Sequence, residues 1–203
     1  MILSHLVLGF VTSYIGYTPP SMLNITASKI TIENNKKVAR QFIWGASLVV
    51  LIQVFLAVLL SSFLEEYPEL INWVKKTAVV VFAILSVVFI YKGLSKSKEV
   101  TSKTIQNGFL FGLSLSSINM FAIPFFAIAH SSFVMHGWAM SGLTCTSVFG
   151  IGTVLGTFAI LSSYIYLAQK LQGKLLSYSK YLNVCIGIIT GFVAIYSAVK
   201  LYF

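Results

Sequence analysis

From Thr104 to Gln169 the chain carries no Lys, Arg, Asp or Glu. A soluble domain could not hydrate its surface over such a stretch. Only 9% of all residues are charged, against roughly 25% in soluble domains. The bilayer is therefore the solvent for most of the chain. The stretch is too long for one helix at about 1.5 Å per residue. It predicts two transmembrane spans, near 108–129 and 139–167, with an outer turn over His130 to Trp138.

Other apolar runs complete the pattern. Met1 to Ser28 is uncharged and is interrupted by Thr18-Pro19-Pro20. It lacks the positive start of a cleavable signal and reads as the first span. Gln41 to Leu64 is the second span, followed by an acidic turn with Glu65, Glu66 and Glu69. The third covers about 71–94, its end lysines snorkelling, and the sixth about 181–199. Lys29 to Arg40 reads as a polar, basic loop. The expected fold is all-α: an integral membrane bundle of six transmembrane helices in a single domain, residues 1–203.

Eleven of the fourteen basic residues fall in the loops after spans one, three and five. The positive-inside bias puts those loops in the cytoplasm and both termini outside, for a multi-pass protein. The net charge of +9 is explained in this way, with no nucleic-acid partner. Membrane lipid is the expected surroundings, and a homo-oligomer stays open.

The six spans divide into two sets of three, 1–94 and 104–203, that enter from opposite sides. Likeness between them would be an inverted repeat, as in many secondary transporters. Gly9-Phe10 opens the first span and Gly108-Phe109 the fourth. Each then carries a polar, proline-containing break: Tyr17 to Ser21, and Ser116 to Asn119 followed by Pro124. Proline lacks an N–H, so Pro19 and Pro20 would release the carbonyls of Ile15 and Gly16, and Pro124 that of Met120. A solute could satisfy them, or a neighbouring helix could. The candidate substrate-binding residues are Thr18, Pro19, Pro20, Ser21, Asn24, Gln53, Asn119 and Pro124. For Gln53, substrate contact and a bond to a neighbouring helix both stay open. Ser114, Ser116 and Ser117 read as packing and back-bonding residues.

Several chemistries are disfavoured. Asp is absent and no Glu lies in a span, which argues against a divalent-cation site or a carboxylate proton relay. Cys145 and Cys185 lie in apolar segments without ligand spacing. His130 and His136 at the outer turn read as interfacial side chains. No metal or cofactor is expected, and without a catalytic set neither is enzymatic activity. Gly150, Gly152 and Gly156 suit close helix approach. Tyr14, Tyr17, Trp44, Trp73 and Trp138 suit an aromatic belt.

Thr18-Pro19-Pro20 followed by Leu23 stands where one transporter family has Pro-Gly-Pro and a leucine. Asn119-Met120-Phe121, Phe125-Phe126 and Phe133 stand where it has Asn-Pro-Lys and three phenylalanines. Gly45 and Gly93-Leu94 also fit. On these residues the chain resembles the lysine exporter (LysE/RhtB) superfamily of amino-acid exporters. It departs in Thr18 and Pro19, in Met120 and Phe121, and in lacking an acid early in the second span. The resemblance implies ion-driven export of small amino acids or related metabolites across the cytoplasmic membrane. The competing readings are an ion or metal permease and a non-transporting assembly subunit.

Overall fold

In hydrocarbon every backbone N–H and C=O needs a partner within the protein, and helix supplies it locally. The computed structural model follows that rule. It describes residues 2–19, 21–94, 105–119, 121–140, 142–171 and 174–202. Among them the regular elements are all helical: α1 (Ile2–Gly16), α2 (Met22–Glu33), α3 (Lys36–Glu66), α4 (Pro68–Leu94), α5 (Gly108–Ile118), α6 (Ala122–Met135), α7 (Leu143–Leu171) and α8 (Lys174–Tyr202). Lys36–Phe63 and Leu143–Lys170 are each long and apolar enough to cross a bilayer. Taken together, α5 and α6, bent by 68° at their break, are long and apolar enough for a third, as a broken span or a re-entrant loop. Ile2–Gly16 is apolar but shorter. This is a multi-pass helical membrane protein.

Helix continues past the apolar runs. The basic stretch from Lys29 to Arg40 is not a loop: only Asn34 and Asn35 leave the helix. Lys29 pairs with Glu33 at 3.5 Å, one turn on. The Asn35 Oδ1 accepts from the Val38 N–H at 2.9 Å, capping the start of α3. Likewise the acidic turn shrinks to Tyr67 between α3 and α4. The lysine-rich loop with Lys96, Lys98 and Lys103 lies outside the described residues.

The outer turn also starts later than expected. His130 to Met135 belong to α6, and the chain reverses at Gly137, where φ is +71°. Gly137 N–H bonds the Val134 carbonyl, and Trp138 N–H bonds that of Phe133 at 2.9 Å. Phe133 stacks on Trp138. This is a Schellman ending with its hydrophobic contact. His130 is buried against Phe149, whereas His136 is exposed.

Two compact units emerge, Met1–Ser62 with Ser102–Gly173, and Phe63–Thr101 with Lys174–Phe203. In the first, Phe42, Phe126, Phe149, Leu23 and Leu161 are fully buried. Glycine brings backbones together there. A Cβ on Gly9 would strike the Phe149 carbonyl, and one on Gly152 the Leu6 carbonyl, so α1 lies directly on α7. A Cβ on Gly112 would strike the Phe42 carbonyl, and one on Gly45 the Phe109 carbonyl, so α5 lies directly on α3. In the second unit α4 packs on α8. Ser86 Oγ donates to the Gly187 carbonyl at 2.6 Å, and Gly191 faces Ser86. Trp44, Trp73 and Trp138 are exposed, as a belt requires, but Tyr17 is buried.

Candidate functional site

The first break lies between α1 and α2. Helix α1 closes at Gly16, with Thr18 N–H tightening onto the Ile15 carbonyl at 3.0 Å. The chain has left the helix before the prolines, so Ile15 is not released as expected. The carbonyls that need partners belong to the break itself. Asn24, fully buried in α2, supplies two: its Nδ2 donates to the Tyr17 carbonyl and to that of Pro19 at 3.1 Å. The Ser21 hydroxyl donates to Asn24 Oδ1 at 3.0 Å, which holds the amide in this sense. From α7, the Tyr164 hydroxyl donates to the Thr18 carbonyl at 2.7 Å. Thr18 itself back-bonds to the Tyr14 carbonyl. Pro20 lies outside the described residues.

The second break lies between α5 and α6. Asn119 ends α5 with φ −76° and ψ 63°, and its N–H reaches back to the Ser116 carbonyl at 3.0 Å. Gln53 of α3 donates from Nε2 to the Ser116 carbonyl and to the Asn119 carbonyl, each at 3.0 Å. Gln53 thus bonds a neighbouring helix through its amide nitrogen. Its Oε1 is buried and has no partner. Pro124 falls in the first turn of α6, where an N–H has no intrahelical acceptor in any case. The carbonyl expected to lose its bond is that of Met120, which lies outside the described residues; Pro124 is exposed. Ser114 and Ser117 back-bond one turn down, while Ser116 reaches across to the Ala46 carbonyl at 3.2 Å.

The two breaks meet. A Cβ on Gly16 would come within 2.6 Å of Phe125 Cζ, so the end of α1 rests on the ring that opens α6. The buried Tyr17 hydroxyl lies close to the Asn119 side chain but completes no hydrogen bond. Polar groups thus run from Asn24 through Tyr17 to Asn119 and Gln53. Among the described residues no group of His, Cys, Asp and Glu side chains could hold a metal ion. The site is polar, uncharged and built as much from backbone as from side chains.

The family model for the LysE type translocator matches residues 14–201. The chain belongs to that family. No curated protein and no solved structure matches it. The match takes in both breaks of the translocator and every helix after α1. Thr18, Pro19, Ser21 and Asn24 come together at the first break, and Gln53 and Asn119 at the second. In the sequence, Tyr17 reads as an edge of the break and a belt residue and Phe125 as part of the family resemblance, neither as a site residue, and Tyr164 is not singled out. Tyrosine near a predicted span end reads as an interfacial anchor, and only the fold turns Tyr17 inward. Tyr164 lies far along the chain from the break it holds, and no local pattern announces it.

Proposed function

We propose that this translocator is a secondary transporter that exports amino acids or related small metabolites across the bacterial cytoplasmic membrane. Its substrate is held between the break of α1 and α2 and the break of α5 and α6. The observation that carries this reading is the meeting of the breaks, Gly16 on Phe125 and Tyr17 beside Asn119. Backbone outside a helix is tolerated in hydrocarbon only where it is buried in protein or lines a cavity. Two such openings face to face suit a solute path. Thr18, Pro19, Ser21 and Asn24 shape one wall, and Pro20 is assigned to it from the sequence alone. Gln53, Asn119 and Pro124 shape the other.

Six spans in two inverted three-helix repeats, 1–94 and 104–203, fit the same reading. A broken pair followed by two long helices occurs twice in chain order. The glycine contacts are reciprocal. Gly9 meets the Phe149 carbonyl and Thr153 N–H of α7, as Gly112 meets the Phe42 carbonyl and Ala46 N–H of α3. Gly152 meets Leu6 and Phe10, as Gly45 meets Phe109 and Leu113. These pairs relate Gly9 to Gly112, one turn beyond the Gly108 that the Gly-Phe motif suggests.

Export is tested in bacteria expressing the protein and loaded with a mixture of dipeptides. Amino acids appearing outside are followed by mass spectrometry, beside cells with the Asn119→Ala variant or an empty vector. Faster release of one chemical group with the wild type only is expected. Equal release in all strains, with the protein present in the membrane, would count against amino-acid export and favour a non-transporting role.

A further inference from the structure

Two buried side-chain atoms at the meeting of the breaks have no partner. Gln53 is 4% exposed. Its Nε2 faces two carbonyls; turned over, the amide would set oxygen against oxygen. The orientation is therefore fixed by chemistry, and Oε1 is left as an acceptor. Tyr17 is 6% exposed, and its hydroxyl likewise completes no bond. Polar atoms so deep are normally satisfied, and leaving them otherwise is costly. One wants a donor and the other can give a proton to an acceptor.

Charge narrows what could supply them. The five Glu residues stand at positions 33, 65, 66, 69 and 99. The runs holding the breaks, Gln53 and α7 up to Gln169, namely 1–28, 41–64 and 104–169, contain no Asp, Glu, Lys or Arg. A solute with net charge would be desolvated there without a counter-charge. A zwitterion brings its own. Resting on the reading of the breaks as the substrate site, we infer that Gln53 and Tyr17 are the specificity-determining pair. They select amino acids of zero net charge: the ammonium donates to Gln53 Oε1, and the Tyr17 hydroxyl donates to the carboxylate. Cationic and anionic amino acids are rejected.

The test is equilibrium binding to the purified full-length protein near neutral pH. Alanine, serine and leucine serve as net-neutral probes, and lysine and glutamate as charged ones. At least one neutral probe is expected to bind about tenfold or more tighter than either charged probe, as a single charge-assisted hydrogen bond allows. Tyr17→Phe is expected to weaken that binding about tenfold. The melting temperature of the unliganded variant should fall far less than that of Asn24→Ala, because the hydroxyl has only the nearby Asn119 side chain to lose and completes no hydrogen bond to it. Gln53→Leu should weaken it further but also uncovers two carbonyls, so Tyr17→Phe carries the test if Gln53→Leu does not fold. Lysine or glutamate binding as tightly as the neutral probes would overturn the inference and leave the export reading intact. So would wild-type binding by a folded Tyr17→Phe protein. Neutral binding lost in Tyr17→Phe, but without efflux of that amino acid from proteoliposomes, would support the site and count against export. Failure of every probe to bind the wild type would overturn both.

Discussion

Asn24 closes three hydrogen bonds with one side chain, to the Tyr17 and Pro19 carbonyls and from Ser21. Its place at zero exposure means that nothing else can replace it there. Asn24→Ala would leave two carbonyls and a hydroxyl short of partners, at roughly 1–3 kcal/mol per orphaned group. We expect the purified variant to melt on the order of 5 °C lower. Tyr17→Phe, one hydrogen bond away, should shift the melting temperature far less. Equal melting of Asn24→Ala and wild type would mean that water or the chain itself covers those carbonyls. Gln53 performs the matching task at the second break with only half its amide. The first break is held mainly from within, by Asn24 and Ser21, with Tyr164 of α7 adding one bond, and the second is held from the neighbouring α3.

Helix contacts rest on backbone touching backbone. Gly9→Ala and Gly112→Ala each put a methyl group into a carbonyl of the facing helix. Overpacking of that kind costs about 1–3 kcal/mol. Gly150→Ala meets only the tip of Leu51 at 2.8 Å, and the gain in helix propensity of up to about 1 kcal/mol offsets the shift. Thermal melts should place Gly9→Ala and Gly112→Ala well below Gly150→Ala; an equal effect of all three would count against direct α1–α7 and α5–α3 contact. The role of Gly152 and Gly156 was legible in the sequence, since small residues in an apolar run have few other uses. So were the helical class and the breaks at Pro19 and near Asn119, because proline and polar groups interrupt a helix in lipid visibly. Helix ends were less legible. Charge marks where the bilayer stops, not where the helix does, so Lys29 to Glu33 and Lys36 to Arg40 read as loop. The Schellman ending at Gly137 does have a local signature, Gly137 with Phe133 and Trp138 around it, but polar His130 to Ser132 drew the boundary inward. The inward turn of Tyr17 is set by packing against elements far along the chain, and no local pattern carries it.

At the scale of the whole molecule, the basic residues predict orientation. In a background with Cys145 and Cys185 changed to Ser, Trp138→Cys should react with an impermeant maleimide on intact cells, and Lys36→Cys should react only after the membrane is opened. The reverse pattern would invert the proposed topology. Helix α1 has a further property: the side chain of Ser13 bonds Thr157 across 144 positions of sequence. At a synthesis rate of roughly 5–20 residues per second, α7 emerges on the order of ten seconds or more after α1. Through that interval the notched face of α1, with Gly9 and Ser13, has nothing to lie against. A nascent chain stopped before Leu143 holds Ser21 and Asn24 of the first break, but neither Tyr164 nor the surface on which α1 settles. The final seat of α1 is therefore available only once α7 has been made.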